Sequence, residues 1–435
     1  MLKVRALCLL AGLALLPAAC AQAEAPATEE PVVLTPPVVA SSTATATLPP
    51  AVVETEPATA PAGTPGAPEA EASPTTDDLS EPWPADRFGY GVQSHAIVGD
   101  PAFAMDVIKN QLHMDWVKVQ LEWALVQPDP ETFNWFYYEG AVNEAADFGL
   151  RLMFSVVGAP AWTRAAGGEN GPPDDYSQYA DFLAAVLERF PGQVHAIEVW
   201  NEQNLDREWA TPAGLSAEDY VAFLELAYAA VKAQDPDVIV ISGALSPTGL
   251  DDRVTAMDDF VYLDEALAAG MLDSADCVGV HHNGYNIPPD VPFDEAAGLP
   301  EAETAVFRGP FGNPHHSWSF ATTVTTYAEK VQAIDPAMQL CVTEFGWASS
   351  EGYDAYPENF EFALDNTLEE QAEYIVSGYA WMYATGDVWL AFLFNYDFGN
   401  KGSGPSDDTV PYSVIDLEGA PRPAFFAVGE MPKPE

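Results

Sequence analysis

Short apolar runs alternate with longer segments of helical spacing from residue 83 onward, and this alternation restricts the fold more than any other feature. Eight runs are rich in β-branched and aromatic residues, as are parallel strands that are buried on both faces. Eight strand–helix repeats predict a (β/α)8 TIM barrel, an α/β fold. The predicted strands are residues 88–94, 116–123, 151–157, 194–200, 238–243, 277–281, 339–344 and 388–395, and the clearest helical segments are 176–190, 218–234, 254–270, 320–334 and 368–385.

A doubly wound parallel sheet shows the same alternation and is the alternative fold. However, no Gly-rich phosphate-binding loop follows the first predicted strand. Ser216 and Thr367 precede two of the helical segments and are predicted to be N-caps. The barrel is therefore the preferred prediction, as one domain over residues 83–435.

Polar and aromatic residues follow the predicted strands at their carboxyl ends, where a barrel of this kind places its chemistry. Glu202 and Glu344 each stand directly after a strongly apolar run. Burying a carboxylate costs free energy unless it forms an ion pair or hydrogen bonds, so a glutamate at such a position indicates a functional role. The two glutamates are therefore the candidate catalytic residues.

Two short motifs carry a resemblance to known enzymes. Residues 200–202 (Trp-Asn-Glu) after the fourth strand and 343–347 (Thr-Glu-Phe-Gly-Trp) after the seventh resemble those of retaining glycoside hydrolases of clan A, with families five and thirty-nine the most similar. The resemblance covers the whole predicted barrel and implies hydrolysis of O-glycosidic, β-linked bonds in oligo- or polysaccharides without a cofactor. It implies that Glu202 is the general acid/base, that Glu344 is the nucleophile and that Asn201 bonds the sugar 2-hydroxyl.

The retaining mechanism makes opposite demands on the two glutamates. It needs carboxyl groups about 5–5.5 Å apart, one protonated to donate to the leaving oxygen and one ionised to attack. Their surroundings must therefore separate the two pKa values. Trp200 and Trp347 stand beside the glutamates and are predicted to supply apolar walls, and donors from neighbouring strands are expected to stabilise Glu344.

Two positions depart from the pattern of clan A. Gln203 stands where proline commonly follows the acid/base glutamate, which affects the loop more than the chemistry. The sixth strand ends in His281-His282-Asn283 in place of the usual His-x-Tyr, in which the tyrosine donates to the nucleophile. The donor role is therefore open between Asn283 and Tyr285.

Further substrate contacts are predicted from residue type and position. Trp162 and Trp347 are candidates for stacking on a pyranose ring, with packing at the top of the barrel as the alternative. His281 and Asn395 are candidates for contacts with sugar hydroxyl groups. Because successive residues on a strand face opposite sides, one of His281 and His282 should face the barrel interior and the other should pack outward.

The histidines and cysteines predict neither a metal nor a disulfide. Metal catalysis is not expected, because no His-x-His sequence ends the first predicted strand. The histidine pairs at 281–282 and 315–316 are interpreted as structural or substrate-contacting. Cys277 and Cys341 lie on the sixth and seventh strands and are predicted to be buried free thiols, because a disulfide between neighbouring parallel strands is geometrically awkward.

The N-terminal region predicts export. Residues 1–20 have basic residues before a short apolar run, as signal peptides do, and small residues precede Cys20 as in a bacterial lipobox. Lipidation of Cys20 is therefore predicted, with ordinary cleavage after Ala23 as the alternative. Residues 21–82 contain no aromatic residue and no Lys or Arg, and they are rich in Ala, Pro, Thr and Glu. They are predicted to form a disordered linker, which leaves the domain either lipid-anchored at the cell surface or secreted.

The formal net charge is −50 at pH 7. Such a polyanion repels nucleic-acid phosphates and anionic lipid head groups, so nucleic acid is not an expected partner and membrane contact is expected only through the lipid anchor. The expected partner is an oligo- or polysaccharide. A non-catalytic carbohydrate-binding or scaffold lipoprotein on a degenerate barrel is the alternative function, and the presence of both Glu202 and Glu344 favours an enzyme.

Overall fold

A computed structural model of the protein describes residues 78–165 and 170–434. The predicted signal peptide, Cys20 and the predicted linker up to residue 77 lie outside these residues. The strands are β1 (Gly89–Gln93), β2 (Trp116–Glu122), β3 (Arg151–Val157), β4 (Ala196–Val199), β5 (Ile239–Ser242), β6 (Val278–Gly284), β7 (Leu340–Trp347) and β8 (Val388–Leu393). The α-helices are α1 (Pro101–Asn110), α2 (Trp123–Val126), α3 (Phe136–Asp147), α4 (Ser177–Arg189), α5 (Ala217–Gln234), α6 (Asp259–Ala268), α7 (Gly309–Gly312), α8 (Phe320–Gln332), α9 (Leu368–Thr385), α10 (Phe398–Lys401) and α11 (Pro423–Glu430).

The eight strands form one parallel sheet in the order β5-β4-β3-β2-β1-β8-β7-β6. Isolated parallel bridges join Ile241 to Cys277 and Leu245 to Val280, so that β5 and β6 nearly close the sheet into a barrel. Each predicted strand coincides with an observed one, and the predicted barrel architecture is confirmed. The carboxyl ends of all eight strands consequently meet at one rim.

Helix ends follow the predicted caps. The Ser216 hydroxyl accepts a hydrogen bond from the amide of Asp219 at the start of α5. Thr367 and Glu370 form a capping box at the start of α9, in which each side chain accepts from the backbone amide of the other residue. These contacts satisfy amide groups that have no partner within the helix.

The barrel interior is apolar at the amino ends of the strands, where Trp116, Met153 and Ala196 belong to one buried cluster. Cys277 and Cys341 belong to the same cluster and form a disulfide with Cα atoms 5.9 Å apart, so the prediction of free thiols is wrong. Cys341 pairs in register with Gly279, two residues after Cys277. The cysteines are therefore diagonal neighbours, at a separation that a disulfide spans.

Residues 78–82, at the end of the predicted linker, contact the barrel. The Arg151 guanidinium donates hydrogen bonds to the carbonyl groups of Glu81 (2.9 Å) and Asp78 (3.2 Å). Within the described residues, contacts with the barrel therefore extend upstream of residue 83, the predicted start of the domain. Among the described residues, no helix combines the length and the apolar character needed to cross a membrane.

Candidate active site

A cavity of about 820 Å³ opens at the carboxyl ends of the strands, and both candidate glutamates line it. Every strand, or the loop that follows it, contributes to its surface. One representative of each is Gln93, Glu122, Val157, Glu202, Ser246, His281, Glu344 and Phe394. The cavity therefore lies where the barrel topology predicts the chemistry.

A tight backbone turn after β4 directs Glu202 into the cavity. Trp200 and Glu202 both have positive φ angles, 75° and 45°, which residues other than glycine rarely adopt. The Glu202 amide donates to the carbonyl of Ala244 (2.9 Å), and the buried Trp200 indole donates to the carbonyl of Glu208 (2.9 Å). Such conformations persist only where the surrounding structure holds them, and they concentrate at functional sites.

A buried lysine lies beneath Glu344. The Lys118 ammonium group is 3.0 Å from Glu344 Oε1 and 3.2 Å from Glu198 Oε2, and it donates to the carbonyl of Thr343 (3.2 Å). The side chains of Lys118 and Glu198 are completely buried. Lys118 thus orients the Glu344 carboxylate and balances its charge.

Glu198 completes this buried charge network. Thr343 Oγ1 donates to Glu198 Oε1 (2.6 Å), and His281 Nε2 lies 3.6 Å from the same oxygen. Although burial opposes ionisation, the Lys118 cation, together with His281, lowers the pKa of Glu198 to about 2. Sequence reasoning missed Lys118 and Glu198. The sequence feature that could have identified them is that each is a charged residue in the middle of an apolar strand.

His281 connects the two candidate glutamates. Its Nδ1 atom lies 3.3 Å from Glu202 Oε1 and 3.9 Å from Glu344 Oε2. Burial alone would lower the pKa of His281, but Glu344, Glu198 and Glu202 raise it to about 9. An imidazolium ion therefore stands between carboxylates that would otherwise repel each other.

The neighbouring histidine faces the other way. His282 is buried with Nε2 3.1 Å from the carbonyl oxygen of Ser317, and its ring packs against Phe320. The prediction that one of the two histidines faces the interior and the other packs outward is confirmed.

Glu202 is surrounded by cations rather than by an apolar wall. Arg207 Nη2 donates to Glu202 Oε2 (3.0 Å) from a side chain that is 66% exposed. Burial opposes ionisation, but His281 and Arg207 lower the pKa of Glu202 below its usual value. The predicted wall from Trp200 is wrong, because its indole packs into the core against Tyr179 and Phe223.

A further carboxylate beside Glu202 also escaped sequence reasoning. Glu208 lines the cavity and accepts a hydrogen bond from Asn170 Nδ2 (2.7 Å). Burial and the neighbouring Glu202 charge raise the pKa of Glu208 to about 7, although Arg207 opposes this effect. The side of the cavity built by β2–β4 is therefore acidic.

In the described part of the chain, neither of the two residues predicted to donate to Glu344 makes a polar contact with its carboxylate. Asn283 and Tyr285 both line the cavity. Within the described residues, however, the side chains in polar contact with the Glu344 carboxylate are Lys118 and His281. A register shift between Val280 and His281 pairs His281 with Glu344, which explains why the histidine reaches this position.

Three residues predicted to contact substrate are instead packed or hydrogen-bonded within the protein. Trp347 is fully buried and donates to the carbonyl of Ile287 (3.0 Å), so neither face of its ring is open to the cavity and it forms no wall there. Trp162 donates to the carbonyl of Gln127 (3.0 Å) and packs edge-on against Trp123, as in the packing alternative.

Asn395 also holds the barrel rim together. It is buried, donates to the carbonyl of Thr409 (2.9 Å) and accepts from the amide of Phe398 (3.0 Å). Both polar groups of its side chain are therefore engaged within the protein. Asn201, in contrast, lines the cavity as predicted for a substrate contact.

Aromatic side chains form the side of the cavity built by the loops after β6, β7 and β8. Tyr285 stacks on Phe307 with ring centroids 5.9 Å apart and meets Trp318 edge-on at 4.8 Å. We call this surface the aromatic wall; its residues are Tyr285, Phe307, Trp318, Phe360, Phe362 and Tyr412. Except for Tyr285, sequence reasoning missed them, because they stand on long loops without a periodic pattern.

Solved structures of several glycoside hydrolases have a fold similar to that of this chain. A family 39 glycoside hydrolase from Bacteroides cellulosilyticus matches with a TM-score of 0.56 and 19% identity, over 81% of this chain and 64% of that one. This chain therefore spans less than two thirds of the Bacteroides protein. A family 39 β-xylosidase from Caulobacter crescentus matches with a TM-score of 0.52 and 17% identity, over 80% and 71% of the two chains.

A xylanase from Paenibacillus barcinonensis matches over almost its full length, with a TM-score of 0.53 and 16% identity, covering 80% of this chain and 97% of that one. No protein-family model matches the chain, and no curated protein matches it by sequence. The protein thus has the (β/α)8 barrel fold that these glycoside hydrolases share.

Proposed function

We propose that the protein hydrolyses β-glycosidic bonds of oligo- or polysaccharides by a retaining double displacement. The observation that carries the proposal is the pair Glu202 and Glu344, held at the carboxyl ends of β4 and β7 in one cavity and joined through His281. Solved structures of similar fold include glycoside hydrolases, among them a β-xylosidase and a xylanase, which supports a carbohydrate substrate.

In the first step Glu344 attacks the anomeric carbon while Glu202 donates a proton to the leaving oxygen. In the second step Glu202 removes a proton from water, which releases the sugar from Glu344. Lys118 keeps the Glu344 carboxylate oriented toward the cavity. In this proposal Asn201 bonds a sugar hydroxyl and the aromatic wall stacks on the C–H surfaces of a pyranose; both line the cavity, which supports these roles.

A panel of aryl β-glycosides tests the proposal with the full-length protein. Xyloside, glucoside, galactoside and mannoside substrates should be compared, and the anomer released first should be identified by NMR. We expect hydrolysis of at least one substrate with the β-anomer as the first product. The double variant Glu202→Gln with Glu344→Gln is the control. Sugar binding without turnover in the unmodified protein would instead favour the non-catalytic carbohydrate-binding alternative.

The proposal requires a proton on Glu202, whose pKa the free protein lowers through His281 and Arg207, against the effect of burial. Removing the exposed Arg207 cation raises the pKa of Glu202 and extends its protonated form to higher pH. We therefore expect Arg207→Met to move the alkaline limb of the pH profile of kcat/KM upward by less than about one pH unit, because solvent screens the exposed pair.

Arg207→Lys is the matched control for this prediction, because it retains the positive charge. Its alkaline limb should lie between those of Arg207→Met and the unmodified protein. A limb that moves to lower pH in Arg207→Met, or that moves equally in both variants, would contradict the assignment of Glu202 as the general acid.

We also propose that the protein is exported and held at the cell surface through acylated Cys20. Support comes from the small residues before Cys20 and from the apolar run upstream. In a bacterial host, Cys20→Ser should shift the protein from the membrane fraction to the soluble or secreted fraction, whereas Cys8→Ser should not. An unchanged membrane-bound fraction in Cys20→Ser would count against the anchor.

A further inference from the structure

Three potential metal ligands meet at the carboxyl rim of the barrel, and none of them lines the cavity that contains the two candidate glutamates. Asp258 immediately precedes α6, and His315 and His316 precede α8. We call Asp258, His315 and His316 the rim cluster. One ligand atom from each residue lies within 4.8 Å of the other two.

Asp258 directs one oxygen toward both histidines. Its Oδ1 atom accepts hydrogen bonds from the amides of Phe260 (3.1 Å) and Val261 (3.3 Å) at the start of α6. Its Oδ2 atom lies 2.8 Å from His316 Nε2 and 3.9 Å from His315 Nε2. Two ligand atoms on one zinc ion lie about 3.3 Å apart, because each is about 2.0–2.1 Å from the metal at a near-tetrahedral angle. Small side-chain rotations therefore suffice to bring the three atoms onto one ion.

A second observation concerns the opposite edge of the His316 ring. His316 Nδ1 and Asp259 Oδ1 are buried atoms 3.8 Å apart, and within the described residues neither has a hydrogen-bond partner. Asp259 is completely buried, so its unpartnered oxygen carries a desolvation cost. A metal on His316 Nε2 places the ring proton on Nδ1, facing this carboxylate, and a metal-bound histidine commonly donates its other N–H to such a group.

His315 has a comparable outer partner. Its Nδ1 atom lies 3.0 Å from Ser317 Oγ and 3.3 Å from the Ser317 amide nitrogen. With the proton on Nδ1, the ring donates to the hydroxyl oxygen and the Nε2 lone pair faces Asp258. Metal binding therefore selects this tautomer over the one in which Nδ1 accepts from the Ser317 amide.

We infer that the rim cluster binds one divalent transition-metal ion, for which zinc is the best match. Two imidazole nitrogens and one carboxylate oxygen are zinc ligands, and water can complete the coordination. The Asp258 carboxylate supplies negative charge at the ion, and Asp259 lies beyond His316 Nδ1. In this inference the ion has no part in the proposed glycoside chemistry.

The position of the rim cluster indicates a structural role. The ion would link the loop between β5 and α6 to the segment between β6 and α8. Trp318, two residues after His316, belongs to the aromatic wall. Zinc is therefore expected to stabilise the protein and to hold this part of the cavity rim in place.

The test measures zinc binding by the full-length chain without reference to activity. After chelator treatment and dialysis against zinc, the metal content of the unmodified protein should exceed that of His315→Asn and of His316→Asn by one ion per chain. His113→Asn is the matched control, because His113 is an exposed histidine outside the rim cluster. It should bind as much zinc as the unmodified protein.

Thermal unfolding supplies an independent readout. Zinc at about a hundredfold excess over its Kd should raise the Tm of the unmodified protein and of His113→Asn by about 3 °C, and should leave the two rim-cluster variants unchanged. Equal zinc content and equal Tm shifts in all four proteins would overturn the inference. His315 is partly exposed, so His315→Asn decides the outcome if His316→Asn does not fold.

Discussion

Under the proposed mechanism, Glu344→Ala should abolish turnover of every glycoside, with kcat reduced at least about 10⁴-fold, because the substitution removes the carboxylate that forms the glycosyl–enzyme bond. Even aryl substrates with highly acidic leaving groups should fail, since proton donation does not replace the nucleophile. Glu329→Ala, which removes an exposed carboxylate on α8, is the matched control and should retain full activity. Full activity of Glu344→Ala would contradict the assignment.

Glu202→Ala should fail differently. A leaving group that departs without protonation still allows the first step, so the glycosyl–enzyme accumulates and its hydrolysis becomes limiting. A small anion such as azide should then restore turnover and yield a β-glycosyl azide, because retention requires two inversions at the anomeric carbon. An α-configured azide would overturn the proposed roles of Glu202 and Glu344.

Lys118→Met should produce the largest loss of stability. The substitution leaves Glu198 and Glu344 without the buried ammonium that contacts both, and breaking a buried ion pair on one side costs about 3–5 kcal/mol in the free energy of unfolding. Denaturant unfolding measures this loss. Activity should fall as well, because the Glu344 carboxylate loses the contact that orients it.

Two further variants isolate the effect of the buried charge. Lys330→Met removes a lysine that pairs with the exposed Asp264, and it should cost less than about 1 kcal/mol. Adding Glu198→Gln to Lys118→Met removes one unpaired charge and should restore part of the lost stability. A Lys118→Met variant as stable as Lys330→Met would show that the network contributes little to folding.

The same network predicts how stability depends on pH. The pKa of Glu198 falls from 4.5 to about 2 in the folded protein, so its contribution is present above pH 4.5 and is lost as the pH falls toward 2. The pKa of His281 rises from 6.5 to about 9, so its contribution is present below pH 6.5 and is lost as the pH rises toward 9. His281→Asn should therefore flatten the alkaline side of a plot of unfolding free energy against pH, and an unchanged slope would contradict a charged His281.

The order of strands and the location of the cavity were predictable because they depend on local pattern. Parallel strands that are buried on both faces appear in the sequence as apolar runs, and all eight observed strands coincide with such runs. Closure of the sheet brings every carboxyl end to one rim, so Glu202 and Glu344 were predictable as cavity residues. Strand alternation likewise predicted that His281 and His282 face opposite sides.

Contacts across the barrel were decided by the tertiary structure alone. Lys118, Glu198 and Glu344 come from β2, β4 and β7, and no sequence spacing relates residues that meet across an interior. The disulfide between Cys277 and Cys341 depends on a diagonal offset set by the register of β6 and β7. Sequence reasoning could identify a charge in an apolar strand but not its partner.

The direction of side chains beyond the strand ends was decided in the same way. Trp347 ends β7 and Asn395 follows β8, where a substrate contact is expected, yet each side chain turns inward to bond a backbone group. The aromatic wall instead comes from loops after β6, β7 and β8, whose paths depend on long-range packing. The sequence by itself thus determined the barrel and the two carboxylates at its rim, because hydrophobic pattern acts locally. The tertiary structure decided which charged and aromatic side chains surround these carboxylates, because such contacts join residues that are far apart in sequence.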